Sequence, residues 1–328
     1  MQTRRVARAA AGSIPVHLIG GFLGTGKTTR LERLLAYDVA RGGRPGVVVN
    51  EHGEADVDGR VVHDAHSANV DVVGLAGGCV CCDLTGELGD AVVELAARGH
   101  RTSIFVETTG LASLPQVSQV LRDALAKPAG AALSMGCVIG VVDASRLRST
   151  VETWEIGRSH LRGADLVVVN HTDRATPAQL RDALRQVRRL APGCAVESTS
   201  FAAIDPARAL AAWGKRRPQQ PRRRAPLRDT TRGYRSSGFL LLKPVDLDQL
   251  EALARRFPRT LVRMKGLVRA SGESETYEIQ WTPGHFEARV HGGAVEEPYL
   301  VAIGRRLAWD RFFDGLDKCL VRKRSPKR

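Results

Sequence analysis

The sequence has no long apolar run, few cysteines and few aromatic residues. No apolar segment in its 328 residues approaches the roughly 20 needed to cross a bilayer. The basic N-terminus is not followed by the apolar core of a secretory signal, so no membrane partner is expected. Only six cysteines occur, and three of them are crowded together, which is not the spacing of a disulfide framework. A reduced, cytoplasmic setting is therefore predicted.

Acidic and aromatic side chains are scarce in the segments that carry the excess positive charge. The formal net charge is +14 at pH 7, and the excess lies in residues 1–13, 214–235 and 322–328, which leaves the remainder close to neutral. Sites for single-stranded nucleic acid usually combine basic residues with stacking aromatics. The pattern therefore favours solvated, flexible segments over a nucleic-acid partner. A weak, salt-sensitive attraction of the basic linker to RNA or to an acidic protein stays open.

Residues 21–28 (GFLGTGKT) match the phosphate-loop pattern in full, between a short apolar run and a segment with leucines at helical spacing. Glycines let successive backbone N–H groups turn toward an anion, and a helix N-terminus adds a positive dipole end. We expect Lys27 to reach the terminal phosphates and the Thr28 hydroxyl to bind Mg²⁺. The predicted nucleotide-binding residues of this loop are Gly21, Gly24, Thr25, Gly26, Lys27, Thr28 and Thr29. The segment therefore predicts a nucleoside triphosphate site.

Valine-rich runs alternate with helical patterns in the first two thirds of the chain. The runs are nearly continuous rather than alternating, which is typical of strands covered by helices on both faces. This predicts an α/β fold with a doubly wound, mostly parallel P-loop sheet, followed by a smaller α+β domain. The predicted strands lie at 15–20, 45–50, 70–75, 103–107, 138–143, 165–170 and 194–197. The predicted divisions are a flexible basic N-terminus (1–13), a P-loop domain (14–213), a basic Pro/Arg-rich linker (214–235), a C-terminal α+β domain (236–321) and a basic tail (322–328).

Two later motifs narrow the nucleotide class. Glu107 ends an apolar run, where a carboxylate would lie near the magnesium ion, and Gly110 follows, where its N–H would sense the γ-phosphate. Asn170 and Asp173 follow another apolar run, in the arrangement N-x-x-D, and an aspartate there would accept both N–H groups on the edge of guanine. Adenine offers no such pair of donors, so Asp173 favours GTP. Core strands followed by ordinary turns would show the same residues.

These segments together resemble the CobW-type P-loop GTPases, relatives of the HypB and UreG nickel-delivery GTPases. The resemblance covers nearly the whole chain, including a CobW-like C-terminal domain, and it implies GTP hydrolysis coupled to holding a transition metal and handing it to a client metalloprotein. It is carried by residues 21–29 (GFLGTGKTT), 50–54 (NEHGE), 77–82 (GGCVCC), 107–112 (ETTGLA), 170–173 (NHTD), 263–268 (RMKGLV) and 301–307 (VAIGRRL).

The cysteine cluster supports that function on chemical grounds. Cys79 and Cys81 are two residues apart, so in an extended segment their thiols point to the same side, while Cys82 points elsewhere. Thiolates suit Zn²⁺, and Co²⁺ accepts the same tetrahedral arrangement. Three sulfur ligands leave a position for exchange, as a metal carrier requires. A strained disulfide and three buried structural thiols are the alternatives.

Residues near the segment 50–54 (NEHGE) extend the predicted metal set. Under the resemblance, Glu54 matches an acidic residue of the first switch, and His52 stands where family members usually have phenylalanine. We therefore add His52 and Glu54 to the predicted ligands, and His63 and His66 are further candidates in the same segment. His171 is a second departure, because it replaces the lysine that normally packs on guanine.

The resemblance implies a Mg²⁺-dependent GTPase whose nucleotide state controls its grip on zinc or cobalt. Lys27, Thr28, Glu107 and Gly110 are the predicted catalytic residues. No built-in arginine finger is evident, so slow intrinsic hydrolysis is expected. Two alternatives stay open: a P-loop ATPase or kinase with a structural zinc, and a nucleotide-regulated adaptor that docks on a protein or RNA through its basic linker.

Overall fold

The structure, a computed structural model, describes residues 13–49, 70–75, 84–130, 132–153, 155–211, 233–291 and 298–321. The chain divides between Thr231 and Arg232 into two compact units. None of the helices in these ranges has the length and apolar character that a bilayer crossing requires.

The first unit contains a parallel seven-stranded sheet. Its strands are β1 (Ile14–Gly21), β2 (Gly46–Val49), β3 (Asp71–Gly74), β4 (Ile104–Glu107), β5 (Leu133–Asp143), β6 (Leu166–Asn170) and β7 (Ala195–Ser198). They lie in the order β3-β2-β4-β1-β5-β6-β7, and the described neighbours pair in parallel. The carboxyl ends of all seven strands therefore meet along one edge, where ligand sites of open α/β sheets form.

Helices cover both faces of this sheet, which confirms the predicted doubly wound fold. They are α1 (Lys27–Ala40), α2 (Leu84–Ala97), α3 (Leu114–Leu125), α4 (Leu147–Thr153), α5 (Glu155–Ser159), α6 (Pro177–Leu190) and α7 (Pro206–Ala211). Local sequence sets some of these ends. Helix α6 begins with a capping box in which Thr176 and Gln179 satisfy each other's backbone N–H groups.

Successive residues of the strands supply opposite faces of the core. Val47 and Phe105 pack with Leu34 of α1 on one face, whereas Val48 and Val106 pack on the other face against α2 and α3. All of these side chains are buried. Because both faces need apolar residues, the strands show the continuous valine pattern seen in the sequence.

A polar side chain lies inside this core at a break in the β1–β5 register. The register shifts between Val16 and Leu18, and at that point the Cys137 N–H donates to Nδ1 of His17 over 2.9 Å. The His17 ring also stacks on Phe105, with 5.1 Å between ring centroids. Burial lowers the pKa of His17 from 6.5 to about 4, so the ring is a neutral acceptor there.

In the described residues of the second unit, an antiparallel five-stranded sheet is accompanied by two helices. Its strands are β8 (Tyr234–Leu240), β9 (Leu261–Arg269), β10 (Thr276–Thr282), β11 (His285–Val290) and β12 (Tyr299–Arg305), in the order β11-β10-β9-β12-β8. Helices α8 (Leu247–Arg255) and α9 (Trp309–Cys319) pack on it through a core that includes Phe312 and Trp281. This agrees with the α+β layer that the sequence predicts.

Strand β8 begins earlier than the sequence pattern indicates. The sequence pattern assigns residues up to 235 to the linker, but the strand begins at Tyr234, which pairs with Arg305 of β12. The Arg305 guanidinium lies 5.8 Å from the centroid of the Tyr234 ring. Since β8 is an edge strand, its first residues are polar and largely exposed, and hydrophobic patterning does not reveal them.

Candidate functional site

The phosphate loop joins β1 to α1 and depends on close backbone packing. Gly24 and Gly26 have left-handed φ angles of 73° and 96°, which glycine adopts without steric cost. A Cβ atom on Gly26 would collide with Nδ2 of Asn170, and one on Gly21 would collide with the Val141 carbonyl of β5. The glycines therefore serve both the turn and the contact with neighbouring strands.

Side chains of the loop fold back on its own backbone. The Thr25 hydroxyl donates to the Phe22 carbonyl over 2.9 Å, and Nζ of Lys27 donates to the same carbonyl over 3.3 Å. Lys27 is buried at the first position of α1, and Thr29 is exposed in the same turn. A buried ammonium group at a helix N-terminus is suited to bind phosphate oxygens.

Thr28 and Glu107 form a hydrogen-bonded pair at the foot of the loop. The Thr28 hydroxyl donates to Oε1 of Glu107 over 2.9 Å, and Glu107 is the last residue of β4, paired with Ile19 of β1. A hydroxyl and a carboxylate this close supply two of the oxygen ligands that Mg²⁺ prefers, alongside substrate phosphates. The residues present therefore fit a magnesium ion.

Gly110 lies directly against the phosphate loop. A Cβ atom on Gly110 would stand 2.8 Å from the backbone nitrogen of Leu23 and closer still to the Leu23 side chain. The preceding Thr108 N–H donates to the Ile19 carbonyl over 3.0 Å. The loop after β4 is thus packed on the loop after β1, and only glycine fits at position 110.

A fully buried histidine supports the loop after β4. Nε2 of His160 donates to the Ala112 carbonyl over 3.0 Å, and its ring lies 6.4 Å from that of Phe22 between centroids. Burial, and then the positive charge of Lys27, lower the pKa of His160 from 6.5 to about 3. The ring is therefore neutral, and it does not compete with Lys27 for an anion.

Asn170 joins three loops at the carboxyl edge of the sheet. Its Nδ2 donates to the Thr25 carbonyl of the phosphate loop over 2.9 Å, and its Oδ1 accepts from the Ala202 N–H after β7 over 2.8 Å. The side chain is almost completely buried. Both amide groups are thus occupied in fixing the loops, so Asn170 shapes the site rather than facing solvent.

Asp173 lies in the short 3-10 turn Thr172–Arg174, on the solvent side of Asn170. Its carboxylate is partly exposed, 3.8 Å from Nε of Arg174. An exposed carboxylate at the entrance of the site is available to a ligand that offers N–H donors, as guanine does.

His171 occupies the position between these two residues in a left-handed conformation, with φ of 59°. Its Nδ1 lies 3.4 Å from Oδ2 of Asp143, at the end of β5, and its Nε2 is close to Gly26. Burial raises the pKa of Asp143, but hydrogen bonds from His171 and Ser145 and the charge of Arg146 outweigh burial and hold that pKa well below its usual range. His171 is thus oriented by an ionised carboxylate.

Sequence reasoning missed several residues of this site. Asp143 anchors His171, and Arg30 and Arg33 of α1 hold the loop that follows β7. The sequence signal for that loop is the short polar run at 198–200 (STS) after the last apolar strand.

The predicted transition-metal ligands all lie outside the described residues: His52, Glu54, Cys79, Cys81 and Cys82. The same holds for Asn50, Glu51, His63 and His66. Within the part of the chain that the structure describes, no group of three or more His, Cys, Asp or Glu side chains could hold a metal ion. The structure therefore brings together Lys27, Thr28, Glu107, Gly110 and Asn170, and the predicted cysteine site stays a prediction.

Two family models match the chain. The model described as CobW/HypB/UreG, nucleotide-binding domain, matches residues 15–196. The model described as Cobalamin synthesis protein cobW C-terminal domain matches residues 234–320. The two matches correspond to the α/β unit and to the antiparallel unit.

The chain also resembles curated relatives and solved structures. It is 35% identical over 193 residues to a zinc chaperone CobW of Sinorhizobium sp, covering 51% of this chain and 53% of that protein. It is 30% identical over 187 residues to the zinc chaperone YjiA of Escherichia coli (strain K12), covering 55% and 56%. The chain thus spans about half the length of these relatives. A crystal structure of Zn(II)-bound YjiA GTPase from E. coli aligns with 94% of this chain and 99% of that chain, at 21% identity and a TM-score of 0.47.

Proposed function

The chain belongs to the CobW/HypB/UreG family of nucleotide-binding domains, and on that premise we propose that it is a GTP-binding and GTP-hydrolysing metallochaperone. In this proposal it carries zinc, or alternatively cobalt, to a client metalloprotein in a reduced cytoplasm. The names of curated relatives, which are zinc chaperones, support zinc as the cargo. The observation that carries the nucleotide part is the phosphate loop with its Thr28–Glu107 pair and the Asn170 bridge.

Each of these residues has a separate task at the phosphates. In this proposal, backbone N–H groups of the loop and Lys27 bind the phosphate oxygens, and the Gly110 N–H contacts the γ-phosphate. Thr28 and Glu107 would hold magnesium, which when bound neutralises charge on the β- and γ-phosphates. No arginine is assigned to the transferring phosphoryl group, so we expect intrinsic hydrolysis to be slow.

Asp173 is the basis for proposing GTP rather than ATP. A carboxylate that accepts two N–H groups from guanine would be left unsatisfied by adenine. Asn170 supports this choice indirectly, since it ties the Asp173 turn to the phosphate loop through the Thr25 carbonyl.

The strand order supports a link between nucleotide and metal. Val49, the last residue of β2, pairs with both Glu107 of β4 and Gly74 of β3. The segment with His52 and Glu54 follows Val49 in sequence, and the cysteine segment follows Gly74. The His52 segment therefore starts on β2, the strand next to the one that carries the predicted magnesium ligand, and the cysteine segment starts on β3, one strand further out. In the proposed switch, GTP orders residues 50–66 near the three thiolates, and loss of the γ-phosphate relaxes the grip on the metal.

Competition binding tests the nucleotide assignment. GTP, GDP and ATP would compete against a labelled GTP analogue, with and without magnesium. We expect GTP and GDP to displace it at least tenfold more effectively than ATP. Equal competition by ATP would favour the alternative of an ATPase or kinase with a structural zinc.

Linkage between the two ligands tests the metal assignment. Zinc affinity is measured by chelator competition with GDP and with a non-hydrolysable GTP analogue. If zinc binds tenfold more tightly with the analogue than with GDP, the difference is about 1.4 kcal/mol. Zinc must then raise the affinity for the analogue, relative to GDP, by the same factor. The triple variant Cys79→Ser, Cys81→Ser, Cys82→Ser should lose this zinc binding, while Cys194→Ser, outside the cluster, should keep it. Equal zinc affinity in both nucleotide states would contradict the proposed switch.

The adaptor alternative predicts a different result, which a deletion in the basic linker tests. If residues 215–228 dock on a protein or RNA, their deletion should abolish partner capture and leave hydrolysis intact. Capture that survives the deletion would count against this alternative.

A further inference from the structure

The loop between β7 and α7 contains a large apolar side chain that the fold leaves in solvent. Phe201 is 64% exposed. It and Ala202 have left-handed φ angles of 53° and 51°, a conformation that residues with a Cβ atom disfavour. Two consecutive residues of this kind persist only when their surroundings hold them there.

Two arginines of α1 hold this loop in place. Nε of Arg33 donates to the Phe201 carbonyl over 2.9 Å. Nη1 of Arg30 donates to the Ala202 carbonyl over 3.3 Å and to the Ile204 carbonyl over 3.0 Å. Arg30 is fully buried, and burial lowers its pKa to about 10. Burying a charged group is costly unless it finds hydrogen-bond partners, so the two bonds from Nη1 favour the observed conformation of this loop.

The same loop is bonded to the turn that precedes the predicted base-reading aspartate. Ala202 N–H donates to Asn170, as described above. In addition, Thr172 N–H donates to the Thr199 carbonyl over 3.2 Å, and the Thr172 and Ser200 hydroxyls lie 2.9 Å apart. Phe201 therefore lies on a loop that is hydrogen-bonded to the Asp173 turn and to α1, at the carboxyl edge of the sheet.

We propose that the ring of Phe201 forms one wall of the nucleobase site and packs on the face of the purine. This inference rests on the proposed function, and it deepens it by assigning an affinity-determining residue to the base. The stacking of a base on an aromatic ring has no sequence or edge preference. Phe201 would thus supply affinity for any purine, whereas Asp173 would supply the choice of guanine.

Position 201 allows a substitution that separates binding from stability. Glycine adopts a left-handed φ without steric cost, so Phe201→Gly removes the ring and also relieves the backbone. We expect this variant to unfold thermally at or above the wild-type temperature, yet to bind GDP about tenfold more weakly by calorimetry, equivalent to about 1.4 kcal/mol. Phe201→Tyr keeps the ring and should bind GDP within about twofold of wild type.

Two probes locate the loss at the base. Inorganic pyrophosphate has no base, so wild type and Phe201→Gly should bind it equally. The base of IDP is a purine that lacks the exocyclic amine of guanine. The affinity for IDP should fall in Phe201→Gly by the same factor as the affinity for GDP. In Phe201→Trp, GDP but not pyrophosphate should quench the added indole fluorescence relative to wild type.

The outcomes distinguish this inference from the function on which it rests. If wild type binds no guanine nucleotide, the proposed function fails. If wild type binds GDP and Phe201→Gly binds it equally well, the aromatic wall is wrong while the GTP site stands. An equal loss for pyrophosphate would also overturn the assignment, because the effect would then be at the phosphates.

Discussion

Two histidines buried in the first unit should make its stability fall as the pH is lowered from 7.5 to 5. His17 and His160 are neutral in the fold, with pKa values of about 4 and about 3 because burial disfavours their charged forms. In the unfolded chain both return to about 6.5. Between pH 6.5 and the folded pKa values, the unfolded state binds protons that the folded state excludes, so acid favours unfolding.

The magnitude follows from the two pKa differences. At pH 5 the folded protein leaves both rings almost entirely unprotonated, whereas the unfolded chain protonates nearly all of both. Each histidine then lowers the free energy of unfolding by about 2 kcal/mol relative to pH 7.5, and the two together by about 4 kcal/mol. Carboxylates protonate mainly below this window, so the drop above pH 5 reports chiefly on histidine.

Amide side chains can replace the two histidines, because they keep the native hydrogen bonds and do not titrate between pH 5 and pH 7.5. His17→Asn retains an acceptor at the δ position for the Cys137 N–H, and His160→Gln retains a donor at the ε position for the Ala112 carbonyl. His100→Gln is the matched control, because His100 is exposed.

Urea unfolding of the nucleotide-free protein, followed by circular dichroism at pH 7.5 and pH 5, measures the effect. Each core variant should reduce the drop in unfolding free energy between pH 7.5 and pH 5 by about 2 kcal/mol. The double variant should remove nearly all of the drop that His17 and His160 cause. His100→Gln should leave the drop unchanged. A double variant that retains the full wild-type drop would refute the reasoning, since the buried rings would then not be its source.

Three further outcomes are expected. Thr28→Ala should slow single-turnover GTP hydrolysis on the order of 100-fold and, by leaving Glu107 without its hydroxyl donor, lower stability by about 1–3 kcal/mol; unchanged turnover would remove Thr28 from the site. Asn170→Ala leaves the Thr25 carbonyl and a backbone N–H unsatisfied, so urea unfolding should show a loss of about 2–4 kcal/mol, and a loss below about 0.5 kcal/mol would contradict the bridging role. Asp173→Asn should shift competition from GTP toward XTP by at least about tenfold, because an amide can donate to the second oxygen of xanthine; an unaltered GTP preference would mean that Asp173 does not read the base.

The fold could be predicted because short segments of the sequence carry the patterns that its strands and its phosphate loop require. Parallel strands buried on both faces need runs such as the valines of β2 and β6, and the phosphate loop requires glycines at fixed positions. Asn170 and Asp173 are recognisable because they directly follow such a run. The start of β8 at Tyr234 could not be predicted, since an exposed edge strand need not be apolar.

Several functional contacts depend on tertiary neighbours that a sequence does not reveal. Arg30 occupies a helix position that composition alone would place in solvent, yet it is fully buried under the loop after β7. His17 and His160 are ordinary residues in the sequence, and only the register break and the packing of α5 bury them. The roles of Cys79, Cys81 and Cys82 stay predictions, because these residues lie outside the described part of the chain.

The pairing of Thr28 with Glu107 bears on the order in which ligands arrive. The Thr28 hydroxyl donates to Oε1 of Glu107, so two of the oxygens predicted to bind the cation are hydrogen-bonded to each other. A hydrated divalent ion without nucleotide would have to break that bond and lose several water ligands to gain two protein oxygens. Mg²⁺ loses its water ligands reluctantly, so this binding is unfavourable. We therefore expect the ion to enter already coordinated by the triphosphate, and free magnesium at millimolar levels to leave the empty protein's melting behaviour unaltered.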